Sequence, residues 1–142
     1  AHPAEDWAET FAHCLHMDDT DRKTMAARGG AAAFCPTSNL FLGSGLFDLD
    51  SMSDAGIKVG LRFTINKFNV NEIPSIFDLL EKMDIPRVCF YHLVYAGRGS
   101  KLGADDLTPA ETQREVDLII DRTGQLHEKG KPISCLYTVI IS

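Results

Sequence analysis

The sequence predicts an α/β protein in which helices and mostly parallel strands alternate. Apolar runs of strand length recur four times along the 142 residues, and amphipathic segments of helical length separate them. Gly or Pro stands at most of the junctions. Strands separated by helices form right-handed βαβ units, which build a parallel sheet. We therefore expect four mostly parallel strands, arranged either like half of a barrel or as a flattened α/β sandwich.

The first half of the chain is expected to supply two helices and two strands. Apolar residues spaced four apart favour a first helix over about residues 5–28: Trp7, Phe11 and Leu15. The apolar run 31–35 predicts a strand, and the Ser-, Asn- and Gly-rich stretch 36–45 predicts a loop. A short helix over 46–55 and an alternating strand over 57–65 follow.

The second half is expected to add two helices and two strands. Asn71 is predicted to cap a helix, and Pro86 to start a strand over 87–95. The apolar side of the helix after Asn71 is predicted to contain Ile73, Ile76, Phe77, Leu80 and Met83. The run Thr108-Pro109-Ala110-Glu111 has the pattern of a capping box with proline at the first helical position. The apolar side of that helix is predicted to contain Val116, Ile119, Ile120, Thr123 and Leu126. The final strand, 133–141, is expected at a sheet edge.

Composition argues against several function classes. The net charge is −6 and the basic residues are scattered, which argues against binding to nucleic acid or an anionic membrane. No apolar window of about 18 residues and no signal-peptide pattern is found, so we expect a cytoplasmic protein. The four cysteines are far apart in sequence, which favours free thiols. Length predicts a single domain over residues 1–142, with an N-terminal helix over 1–30.

Glu9, His13 and His16 are candidate metal ligands because they would share one face of the predicted first helix. The alternative is a solvated helix face. Residues 1–20, AHPAEDWAETFAHCLHMDDT, resemble the stretch that follows the zinc motif in a group of zinc metallopeptidases. That resemblance implies that the zinc-binding H-E-x-x-H helix precedes the matched stretch, so no protease activity is expected from it.

Residues 31–60, which include FCPTSNLFLGSGLF, resemble guanine deaminase. The resemblance implies that Ser38 and Asn39 lie at the carboxyl end of a strand, where barrel enzymes bind substrate. The alternative is that both residues serve turn formation. The family's zinc ligands have no counterpart, since Arg62-Phe63-Thr64 stands where the family has an Asp, so hydrolytic deamination is not expected.

Residues 56–131, which include GIKVGLRFTINKFNV and FYHLVYAGRGSKL, resemble radical SAM enzymes of the haem d1 biosynthesis type. The resemblance implies that Arg62 faces the SAM end of a barrel. The cluster-binding C-x-x-x-C-x-x-C is absent from the sequence, so cleavage of SAM is not expected. Passive binding of SAM, a nucleotide or an anion at the strand ends remains as an alternative function, with these candidates: Arg62, Gly97, Arg98, Gly99, Ser100 and Lys101.

Three resemblances in one chain lead to the hypothesis of a chimeric or designed α/β domain assembled from barrel-enzyme fragments, without an intact catalytic function. The phrase GIKVGL marks the crossover within a strand. No cofactor is expected, and zinc or SAM are the alternatives. Self-association through an open sheet edge is the expected partner interaction. A natural homologue that carries all three segments in this order would contradict the hypothesis of a chimera.

Overall fold

A computed structural model describes residues 10–41, 43–94 and 106–141. The strand order is β1-β2-β3-β4-β5, and the pairs β1–β2, β2–β3 and β4–β5 are parallel, which confirms the predicted α/β class. No helix in this described part of the chain combines the length and apolarity needed to cross a membrane. The elements in chain order are β1 (Thr10–Ala12), α1 (Asp19–Ala27), β2 (Ala31–Phe34), α2 (Pro36–Phe41), α3 (Leu49–Asp54), β3 (Lys58–Ile65), α4 (Ile73–Lys82), β4 (Arg87–Val94), α5 (Pro109–Glu128) and β5 (Ser134–Ile141).

The helix predicted over residues 5–28 is confirmed only over α1, because residues 10–12 form strand β1. Strand β1 pairs in parallel with β2, with Phe11 opposite Ala32, and this raises the strand count from four to five. Helix α1 begins only at Asp19, where Asp18 and Asp21 form a reciprocal capping box. Periodicity alone could not separate the two states, because a strand of three residues depends on its partner strand rather than on its own sequence.

The chain divides into two compact units, Ala1–Phe63 and Thr64–Ser142. In the first unit, β1, β2 and β3 are parallel neighbours. Phe34 and Phe47 stack with ring centroids 4.9 Å apart. Gly30 allows α1 to approach β2, since a Cβ there would lie 2.8 Å from the Met25 side chain. The core cluster contains Met25, Ala32, Met52, Ile57 and Val59.

The loop predicted over residues 36–45 is partly helical. Helix α2 starts at Pro36, directly after the residue that follows β2, and it ends at Phe41. Proline is well suited to a first helical turn because its fixed φ matches the helix and its missing N–H has no partner to lose. Asn39 therefore lies on a helix instead of in a turn.

In the second unit, α4 buries the predicted apolar stripe, which contains Ile73, Ile76, Phe77 and Leu80. Phe77 stacks on Phe90 of β4, with ring centroids 5.7 Å apart. The predicted cap is wrong: a 3₁₀ turn over Val70–Glu72 precedes α4, and Glu72 stands at the cap position without a side-chain cap bond. The helix is therefore held by its buried face rather than by Asn71.

Helix α5 begins as predicted, with the reciprocal capping box between Thr108 and Glu111. Its buried side differs from the prediction, because Glu115 is buried with Ile119 and Leu126, whereas Ile120 is 62% exposed. Strand β5 pairs in parallel with β4 along its whole length and lies at the end of the strand order, so its predicted edge position is confirmed.

Candidate ligand site at the carboxyl ends of the strands

Polar residues of the first unit meet where its parallel strands end. His13 directly follows β1, and Cys35 directly follows β2. Arg62 on β3 is level with Cys35, because Phe34 pairs with Leu61 in the register of β2 and β3. Ligands of parallel α/β sheets bind at the carboxyl ends of the strands, so a ligand site is expected at this end of the sheet.

A hydrogen bond joins His13 to Asn39, two residues that the sequence had placed in separate candidate sites. The His13 Nδ1 and Asn39 Oδ1 atoms are 2.6 Å apart. Since the amide oxygen is an acceptor, the imidazole Nδ1 donates the proton. Asn39 is only 2% exposed, and its Nδ2 has no hydrogen-bond partner among the described residues. A buried N–H group without a partner costs about 1–3 kcal/mol, which makes Asn39 the energetically unusual group of this region.

The local backbone brings these two side chains together. Asn39 lies one turn into α2, where its N–H donates to the Cys35 carbonyl at 3.0 Å. The His13 N–H continues the β1–β2 ladder by donating to the Ala33 carbonyl at 3.1 Å. His13 and Cys14 have φ angles of 69° and 44°, in the left-handed region. Such backbone costs on the order of 1–3 kcal/mol per residue, and conformations of this kind concentrate at functional sites.

Two thiols flank the His13–Asn39 pair. Burial raises the pKa of Cys14, and the nearby Cys35 thiol raises it further. Burial also raises the pKa of Cys35, while the His13 main-chain N–H and the positive charge of Arg62 act in the opposite direction. Arg62 therefore lies close enough to add positive potential to this edge of the sheet.

A cavity of about 500 Å³ adjoins the turn after β1. This volume is within the usual range for small-molecule pockets. The cavity wall is mainly apolar, and its charged residues are Asp21 and Arg28. The apolar lining includes Phe11, Cys14, Met17 and Met25.

The structure does not place the described members of the predicted metal site on a helix. His13 and His16 lie in the connection between β1 and α1 instead of on a helix, and Glu9 is outside the described residues. His13 also uses Nδ1 for its hydrogen bond to Asn39. Within residues 10–41, 43–94 and 106–141, no group of three or more His, Cys, Asp or Glu side chains could hold a metal ion. Because Glu9 lies outside the described residues, the site with all three predicted ligands stays a prediction.

The remaining predicted ligand residues have separate outcomes. Arg62 is exposed on β3, and the main chain of Ser38 lies in α2 while its side chain is outside the described part. The anion-binding run, Gly97, Arg98, Gly99, Ser100 and Lys101, also lies outside the described residues, so that site stays a prediction.

A second polar cluster lies in the second unit and was not among the predicted sites. His92 on β4 has Nδ1 at 3.1 Å from the Tyr137 hydroxyl and Nε2 at 3.0 Å from Asp106 Oδ1. Burial is the main cause that raises the pKa of Tyr137 to about 12, and Glu115 and Asp106 add to it. The burial of Glu115 beside this cluster could have been predicted from the sequence, because Glu115 precedes Ile119 by four residues and so lies on the same side of α5.

Comparison with known proteins confirms the resemblance to three families. The chain is 58% identical over 106 residues to Fe-coproporphyrin III synthase from Methanosarcina barkeri, covering 70% of this chain and 27% of that protein. It is 42% identical over 79 residues to pre-heme d1 synthase from Dinoroseobacter shibae, covering 55% of this chain and 20% of that protein. It is 36% identical over 104 residues to guanine deaminase from Escherichia coli, covering 68% of this chain and 24% of that protein.

These matches overlap, since the synthase and deaminase matches cover 70% and 68% of the chain and must share more than a third of it. The chain spans only between a fifth and about a quarter of the length of these three relatives. The model of one protein family, described as putative zinc-binding metallo-peptidase, matches residues 1–83, which is more than half of the chain. The chain therefore belongs to the family described as putative zinc-binding metallo-peptidase.

Proposed function

We propose that this chain is a small α/β binding module that takes a guanine-type purine at the carboxyl ends of β1 and β2, beside Arg62 of β3. The observation that carries the proposal is the buried Asn39 amide, whose oxygen bonds to His13 and whose Nδ2 lacks a partner among the described residues. Nδ2 is buried in the ligand-free protein, so the Asn39 side chain must move to reach a ligand acceptor, and pairing with that acceptor would then remove the cost of the unpaired group.

The hydrogen-bonding character of the site favours guanine over adenine. Oδ1 already accepts a hydrogen bond from His13, so the unpartnered group of Asn39 is the Nδ2 amine, which is a donor. Arg62, which lies near Cys35 at the same edge, is also a donor. Guanine presents two acceptors, O6 and N7, on one edge, whereas adenine presents a donor beside its acceptor there. A donor-rich site therefore discriminates against adenine by leaving its amino group opposed to another donor.

The relatives support a purine as the ligand. Guanine deaminase is among the proteins that the chain resembles, and its name specifies guanine. The 5-methylthioadenosine/S-adenosylhomocysteine deaminases that the chain also resembles are named for adenine nucleosides, so they support a purine but not the preference for guanine. The expectation of no intact catalytic function becomes part of the proposal, so the module binds the purine without deaminating it. Zinc and SAM, the cofactors considered from the sequence, are alternatives that the same binding experiment separates.

Isothermal titration with guanosine, inosine and adenosine tests the proposal. Guanosine and inosine share the O6 and N7 edge, so both are expected to bind, and adenosine is expected to bind at least tenfold more weakly. Asn39→Leu should weaken guanosine binding by about tenfold or more, which corresponds to about 1.4 kcal/mol. Asn71→Leu is the matched control, because Asn71 is an exposed amide outside the site.

Several results would contradict the proposal. Equal binding of adenosine and guanosine would remove the donor-edge argument, and unchanged binding by Asn39→Leu would place the ligand elsewhere. Titrations with SAM, inorganic phosphate and zinc chloride test the alternatives directly. Release of ammonia from guanine by the purified chain would contradict the non-catalytic part of the proposal.

We also propose that the chain arose by recombination or design from barrel-enzyme fragments. The three resemblances within 142 residues support this origin, and so does the position of the predicted crossover phrase, residues 56–61, which runs into the first half of β3, where a join preserves strand register. Sequencing of related natural genes tests it. One continuous natural gene with all three segments in this order would contradict it.

A further inference from the structure

Glu115 is a carboxylic acid buried in the second unit without a described partner. It lies on the sheet-facing side of α5 with Ile119 and Leu126, and it is 2% exposed. Neither of its carboxyl oxygens has a hydrogen-bond partner among the described residues. Burying a charged carboxylate without pairing is so unfavourable that such groups usually become neutral instead.

The groups around Glu115 make its negative form still less favourable. Asp106, just before α5, contributes a second negative charge, and Tyr137 of β5 is also close enough to interact electrostatically with Glu115. His92 of β4 uses one ring nitrogen for Tyr137 and the other for Asp106. Asp106 Oδ1 also accepts the Leu107 N–H at 2.8 Å. Both ring nitrogens of His92 are therefore hydrogen-bonded to other groups, and the imidazole does not pair with Glu115.

We infer that Glu115 is a proton-binding site that couples the packing of α5 on β4 and β5 to pH. The helix packs with a neutral Glu115, and packing becomes weaker when that group must be buried as a carboxylate. Burial, followed by the charge of Asp106, raises the pKa of Glu115 from 4.5 to about 7. The response therefore falls between the ordinary acidic range and neutrality.

The direction of the pH dependence follows from proton binding. When α5 opens, Glu115 is solvated and regains its ordinary pKa of 4.5. Between pH 4.5 and about 7, Glu115 is protonated in the packed form and ionised in the opened form. Each unit by which the pH rises in this range therefore makes opening up to about tenfold more favourable. Below this range Glu115 is neutral in both forms, so burying it carries no charge penalty. Above this range the full penalty of burying the carboxylate applies, and the opening equilibrium no longer changes with pH.

Hydrogen exchange of the α5 amides across this pH range tests the inference, after correction for the intrinsic exchange rate. The wild type should show the rise in opening followed by a plateau near neutrality. Glu115→Gln has nearly the same shape and cannot ionise, so it should remove the rise. Glu128→Gln, an exposed position at the end of the same helix, is the matched control and should behave like the wild type.

A direct titration of the Glu115 carboxyl group in the wild type tests the inference even when Glu115→Gln does not fold. Carbon-detected NMR of the Glu115 carboxyl group in the wild type should give a midpoint near 7. A midpoint in the ordinary range for glutamate would overturn the inference, and so would an equal pH dependence of opening in wild type and a folded Glu115→Gln variant.

Discussion

Replacing Asn39 with leucine should stabilise the ligand-free protein while removing its binding site. Asn39 is 2% exposed, and the two side chains have similar volumes, so leucine can occupy the same space without a large cavity. The substitution removes a buried N–H group that lacks a described partner, which relieves about 1–3 kcal/mol. It also removes the hydrogen bond to His13, which contributes about 0.5–1.5 kcal/mol.

The net effect is a gain of about 1 kcal/mol in the free energy of unfolding, because the exposed His13 can bond to water in place of Asn39. For a chain of 142 residues, this corresponds to a rise of about 3 °C in Tm. Guanidinium denaturation should show a higher midpoint with an unchanged slope. Asn71→Leu serves again as the control, since it changes the same amide at an exposed position. A loss of more than about 1 kcal/mol in Asn39→Leu would refute the reasoning, because the amide would then be fully hydrogen-bonded.

Two further predictions concern the second unit. Thr108→Ala removes the side-chain cap of α5 and should lower the free energy of unfolding by about 1 kcal/mol, measured by urea denaturation; an unchanged midpoint would mean that the cap contributes nothing. The expected self-association should involve the edge strand β5, where Leu136 is 43% exposed, so Leu136→Lys should shift a dimer towards monomer in sedimentation velocity experiments. A wild type that stays monomeric at every concentration would contradict this second prediction.

The parts of the fold that could be predicted from sequence are those with local signals. The apolar stripe of α4 and the capping box of α5 each lie within one or two helical turns, and both were confirmed. Strand β1 could not be found this way because only pairing with β2 stabilises its three residues. The i, i+4 spacing of apolar residues around it favoured a helix, and tertiary pairing overrode that local pattern.

The candidate site was predicted only in its parts. Resemblance placed Asn39 and Arg62 at strand ends, and local spacing singled out His13 for a different reason. The hydrogen bond between His13 and Asn39 joins residues 26 positions apart, so no local pattern could reveal it. Glu115 was overlooked because a charged residue is normally assigned to the solvated side of a helix, and here the helix turns it towards the sheet.

The most direct test of the proposed binding site is the side-chain amide signal of Asn39 in NMR spectra recorded during a guanosine titration. The account predicts that this Nδ2 signal shifts and saturates with guanosine, while the exposed Asn71 amide signal stays in place. An Asn39 signal that does not move when guanosine is bound would contradict the site. The same result would also contradict the assignment of guanine recognition to the carboxyl ends of the strands.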